Sequence, residues 1–141
     1  MRDTDIKIIE CPRDAMQGIR EFIPTATKVR YLNQLLKVGF HTLDCGSFVS
    51  PKAIPQMADT AEVIAQLDMD NTDTRLSVIV ANVRGAERAV QHERISYLGF
   101  PFSISETFQQ RNTNSSIEEG VEIVKRSKEL AERHGKEFVA Y

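Results

Sequence analysis

Arg75-Leu-Ser-Val-Ile-Val-Ala81 is almost unbroken in apolar residues. A strand buried on both faces of a parallel sheet requires such a run, so the chain reads as α/β. Working outward, Thr42-Leu-Asp-Cys-Gly-Ser-Phe48 predicts the strand before it and Ile95-Ser-Tyr-Leu-Gly-Phe100 the strand after it. Helices are predicted between them, over about 60–67 and 85–93. Further out, Ile6-Lys-Ile-Ile-Glu-Cys11 predicts a first strand ending at Pro12, followed by a loop. Lys136-Glu-Phe-Val-Ala-Tyr141 predicts a fifth strand.

Two helices are more strongly marked. Over 25–38, Val29, Leu32, Leu35 and Leu36 recur at three- and four-residue spacing and share one face. Thr25 or Thr27 is expected to cap that helix, and Gly39 to follow it in the left-handed conformation. Ser115 and Ser116 each precede a glutamate (Glu118, Glu119) by three residues, the pattern of a capping box. Beyond them Ile117, Val121, Val124 and Ala131 form an apolar stripe that Gly135 ends. Glu122/Arg126 and Glu129/Arg133 are spaced for i,i+4 ion pairs. The alternation of strands and helices shows no break in composition, which predicts one domain over 1–141. Two architectures satisfy it. One is an open five-stranded sheet; the other is a partial (β/α)8 barrel, the first four βα units plus a fifth strand of a fold of about 250 residues.

Composition narrows the function only by exclusion. The 141 residues carry a net charge of −2 with both signs interspersed, which argues against a nucleic-acid surface. No apolar run approaches the roughly 18 residues that cross a membrane. The polar start Met1-Arg-Asp-Thr-Asp-Ile6 reads as no signal peptide, and the two cysteines, Cys11 and Cys45, fit a reducing cytoplasm. His41, His92 and His134 stand apart, without the spacing of a zinc site. There is no Walker loop and no G-x-G-x-x-G.

In parallel α/β folds, working residues gather where strands end. Three clusters lie there. Pro12-Arg13-Asp14-Ala15-Met16-Gln17 follows the first strand, and its Arg-Asp pair is either an ordinary turn or a metal carboxylate beside an electrophilic cation. Asp44-Cys-Gly-Ser47 ends the second strand, where a buried acid needs a partner, Arg13 being one candidate. The proline-rich 47–59 segment that follows is a loop of the length that often carries function. Ser105 to Asn114 is polar and runs into a helix N-terminus, so it is either a solvated capping loop or a site for a phosphate-bearing ligand.

Together these segments resemble hydroxymethylglutaryl-CoA lyases along essentially the whole chain. The markers are Pro12-Arg-Asp-Ala-Met-Gln17, Ser47-Phe-Val-Ser-Pro-Lys-Ala-Ile-Pro-Gln-Met57 with Asp59, Asn82-Val-Arg-Gly85, and Ser105-Glu-Thr-Phe108 leading to Asn112-Thr-Asn-Ser-Ser-Ile-Glu-Glu119. The first is shared with synthases that condense acyl-CoA, such as those making isopropylmalate or homocitrate; the second is particular to the lyases. Met16 favours the lyases, since the synthases usually place an acid there.

The resemblance implies a TIM-type barrel and a carbon–carbon lyase of leucine degradation. It would cleave 3-hydroxy-3-methylglutaryl-CoA to acetyl-CoA and acetoacetate with magnesium or manganese. It implies Asp14 as a metal ligand, Arg13 as the enolate-stabilising cation, and Gln17, Asp44 and Ser47 as the lining of the acyl pocket. Arg20, Arg84, Arg111 and Asn112 match positions at or near coenzyme A. Asp44 stands where the family has glutamate, and one residue fewer separates Glu10 from Arg13. The family's two metal histidines, metal asparagine and catalytic cysteine lie in the second half of the barrel and have no counterpart here. The expectation is a half-site without cleavage activity of its own. The alternatives are a non-catalytic half-barrel, which open edges could pair into a homodimer, and a related Claisen synthase.

Overall fold

The structure is a computed structural model, and it describes residues 6–141; Met1–Asp5 lie outside the described residues. Five parallel strands form one sheet in sequence order: β1 (Ile9–Glu10), β2 (Thr42–Ser47), β3 (Arg75–Ile79), β4 (Ile95–Phe100) and β5 (Glu137–Ala140). Helices α1 (Pro12–Gln17), α2 (Thr25–Leu36), α3 (Thr60–Ala65), α4 (Val83–Ala89), α5 (Glu106–Thr113) and α6 (Ile117–Arg133) occupy the crossovers.

The strand at 75–79 shows why the sheet forms. Leu76 and Val78 are fully buried in the core that also holds Leu32, Leu43, Ile64, Ala86, Leu98 and Ala131, residues contributed by strands and helices alike. Ser77 and Ile79, pointing the other way along the pleat, are buried as well. Both faces are covered, as the apolar run predicted. The fully buried side chains Phe100 and Ile95 extend this core along β4.

Several boundaries differ from expectation. The first strand is limited to Ile9–Glu10, because Ile6, Ile8 and Ile9 are exposed at an open sheet edge. Two segments expected as loops are helices. Pro12, pre-set at the first helical position, starts α1, and Met16 anchors it in the core. Ser105 caps α5 by accepting from the Phe108 N–H. Neither Thr25 nor Thr27 caps α2: Pro24 precedes it, and Thr25 Oγ1 instead donates to Asp59 at 2.9 Å. Gly39 takes the expected positive φ of 84°. The capping box on α6 is Ser116 with Glu119, while Ser115 is buried against Gln109 and Thr113. The ion pairs on that helix are Lys125–Glu122 and Lys128–Glu132 rather than the two arginine pairs expected, both exposed and so of small energetic weight. Among the described residues, no helix is long and apolar enough to cross a membrane.

Candidate functional site

Four predicted residues meet at the C-terminal end of the sheet. Arg13, early in α1, reaches across to Asp44 on β2. Its Nε lies 3.1 and 3.0 Å from the two carboxylate oxygens and its Nη2 2.8 Å from Oδ2. Nη1 donates to Gln17 Oε1 at 2.8 Å and faces Asp14 Oδ1 at 3.3 Å. The side chain of Asp44 is 4% exposed and that of Arg13 14%, whereas that of Asp14 is 69% exposed.

The geometry has electrostatic consequences. Burial pushes the Asp44 carboxyl above its ordinary value, and its bonds to Arg13 offset only part of that rise. Burial also works against the Arg13 charge, but the hydrogen bonds and charge of Asp44 outweigh it and hold the guanidinium above its ordinary value. The result is a planar cation held in one orientation by a buried carboxylate, with Gln17 fixing its outer edge. Such a cation is prepared for negative charge that develops nearby, with little reorganisation.

The other predicted residues fall elsewhere. Ser47 is buried; its N–H donates to Thr60 Oγ1 at 3.1 Å and its hydroxyl accepts from the Val49 N–H at 3.3 Å. It shapes the turn out of β2 and is not a partner of Arg13. Arg20, Arg84, Arg111 and Asn112 are exposed, at the loop after α1, the start of α4 and the end of α5. In the Asn82–Gly85 marker, Asn82 caps α4 by accepting from the Gly85 N–H. A Cβ at Gly85 would lie 2.8 Å from the Phe48 carbonyl, so that marker serves close packing.

One residue was missed. Tyr141, directly after β5, faces the same cluster: burial raises its phenol pKa, the Asp44 charge raises it further, and Ser77 lies close enough to oppose this by hydrogen bonding. A Cβ at Gly99 would sit 2.9 Å from the Tyr141 ring, so the glycine makes room for it. The signal was available, since an aromatic hydroxyl at a strand's C-terminal end lies where barrel chemistry collects. Tyr141 also borders a cavity of about 250 Å³ on the inner sheet face, lined by Ile9, Thr42, Ser77, Tyr97 and Val139 among others.

A hard divalent cation takes oxygen ligands. Asp14 suits that chemistry as one exposed carboxylate, while Asp44 is committed to Arg13. Among the described residues, no group of three or more His, Cys, Asp or Glu side chains is placed to hold a metal. Neither cysteine adds a nucleophile. Burial pushes the Cys45 thiol up to about 12, and burial followed by the Asp44 charge raises that of Cys11.

Sequential parallel βα units with charged residues at the strand C-termini are the pattern of the TIM-type barrel class. No family model matches the chain. It is related to hydroxymethylglutaryl-CoA lyases. It is 37% identical over 117 residues to the rat (Rattus norvegicus) cytoplasmic 3-hydroxy-3-methylglutaryl-CoA lyase, an alignment covering 82% of this chain and 34% of that one. The Bacillus subtilis HMG-CoA lyase structure superposes with a TM-score of 0.90 at 31% identity, over 96% of this chain and 45% of that one. An Acinetobacter baumannii HMG-CoA lyase in complex with coenzyme A and 3-methylmalate gives 0.84 at 30% identity, over 95% and 43%. The chain thus spans between about a third and a half of the length of these relatives.

Proposed function

We propose that this chain supplies the arginine half of a divalent-metal-dependent lyase site that cleaves 3-hydroxy-3-methylglutaryl-CoA. In that reaction the 3-hydroxyl loses its proton and the C2–C3 bond breaks. The electron pair passes to the departing acetyl-CoA, which is protonated, and acetoacetate remains. The observation that carries the reading is the Arg13 guanidinium, locked by buried Asp44 and Gln17 beside the open carboxylate of Asp14. Arg13 would face the oxygen on which charge grows as acetyl-CoA leaves. Asp14 would hold magnesium or manganese, which supplies Lewis-acid and templating chemistry when bound. The exposed Arg20, Arg84, Arg111 and Asn112 would meet the anionic coenzyme A portion. The unpaired cysteines fit a reducing compartment such as the cytoplasm.

The test is complementation. The 141-residue chain alone is expected to form no acetoacetate. Mixed with the half of the Bacillus subtilis lyase that this chain does not match, it is expected to gain activity, releasing acetyl-CoA, that Arg13→Gln abolishes. Acetoacetate from the chain alone, or complemented activity that survives the substitution, would overturn the reading. The open edges at β1 and β5, with Ile8, Ile9 and Val139 exposed, favour pairing of these strands with a second copy when no other half is present. A monodisperse monomer in light scattering would remove that dimer.

A further inference from the structure

Between Gln17 and Thr25 the chain forms neither helix nor strand, so its course is set by what it is fastened to. Three of its main-chain groups are held by one side chain, beside the packing of Ile23 on the core and of Phe22 under Lys28. Gln56, 4% exposed, lies in the 3₁₀ turn Pro55–Met57. Its Nε2 donates to the Ile19 carbonyl at 3.0 Å and to the Glu21 carbonyl at 2.9 Å, while its Oε1 accepts from the Ile23 N–H at 2.9 Å. The two carbonyls flank Arg20. Behind them, Lys28, 2% exposed, donates to the Gln56 carbonyl and, at 2.6 Å, to Asp59 Oδ1.

We infer that Gln56 is a positioning residue. It fixes the main chain on both sides of Arg20 and thereby sets where that exposed guanidinium is delivered, the ligand being the phosphates of coenzyme A on the reading given above. One primary amide meets two acceptors and one donor, which uses its full hydrogen-bonding character; no apolar side chain of equal size reproduces that. The bonds bury main-chain groups that would otherwise need water, so their loss frees the segment rather than merely loosening the core.

Amide hydrogen exchange and coenzyme A titration on the 141-residue chain test this together. Gln56→Met removes all three bonds and is expected to speed exchange at Ile23 by roughly tenfold or more. The amides of β3 and β4 should stay slow. Gln56→Glu keeps the acceptor but presents an oxygen to two carbonyls, so Ile23 should remain slow while the Arg20 backbone gains mobility in nitrogen-15 relaxation. Unchanged exchange at Ile23 in Gln56→Met overturns the inference, as does global unfolding of both variants, which would make Gln56 a support of the whole fold. For coenzyme A, Gln56→Met and Arg20→Ala are each expected to weaken binding by about tenfold, and the double variant by no more than either alone. Additive losses overturn the link to Arg20. If the unsubstituted chain takes up no coenzyme A, the ligand reading of Arg20 falls, while the exchange data still decide whether Gln56 fixes its backbone.

Discussion

An arginine reaches an acid at each end of this sheet. At the C-terminal ends of the strands, Arg13 holds Asp44 through both Nε and Nη2, and the side chains are 14% and 4% exposed. At the N-terminal ends, Arg75 crosses from β3 to β5, donating to Tyr97 Oη at 2.8 Å and meeting Glu137 at 3.3 Å, with side chains 53% and 66% exposed. The residue types match and the surroundings do not. In the first pair, desolvation makes each charge depend on the other. In the second, water already solvates both partners, so neither depends on the contact. Burial, rather than the presence of an ion pair, separates a prepared cation from a solvated one.

The largest break in this contrast should come from Asp44→Asn. It leaves the nearly buried Arg13 with only the exposed Asp14 as counter-charge and should cost about 3 kcal/mol in urea unfolding; a loss below about 1 kcal/mol would remove the distinction. Arg13→Lys keeps the charge and loses the fork, and about 1–2 kcal/mol is expected in the same measurement.

A smaller effect sharpens the view of the N-terminal end. His92 packs on Phe48 with ring centroids 5.2 Å apart; burial, then the charges of Lys136 and Arg88, holds its pKa below 6.5. The folded state therefore binds this proton less readily than the unfolded state. Its stability contribution is full above pH 6.5 and declines as the pH falls below that value. His92→Gln should flatten the fall in melting temperature between pH 7 and pH 5; an unchanged slope would exclude His92 as its source. The smallest effect belongs to the exposed pair: Arg75→Ala and Glu137→Gln should leave the urea midpoint unmoved within measurement error.

The sheet was legible because continuous apolar runs such as Leu76–Val80 leave few alternatives. The helix 117–133 was legible from its capping box and stripe. The short helices α1 and α5 were not, because they are polar and offer few buried residues: Pro12 and Met16 in the first, Gln109 in the second. Of the site, Arg13, Asp14, Gln17 and Asp44 were readable from position at strand ends. For Ser47 the sequence carries no sign that its hydroxyl accepts from the local main chain, at the Val49 N–H. Gln56 and Asp59 lie in a distinctive string that by itself gives neither a role. Their partners lie some 30 residues away, and no local pattern encodes a side chain that fastens a distant loop.

The strict order β1-β2-β3-β4-β5 bears on how the chain acquires its shape. Each strand finds its neighbour one crossover back, so no pairing waits for a distant segment. A chain emerging from the ribosome can add each βα unit to a sheet already begun. Arg13 and Asp44 both belong to the first two βα units, so the partners of this buried pair are both in place before any later unit is made.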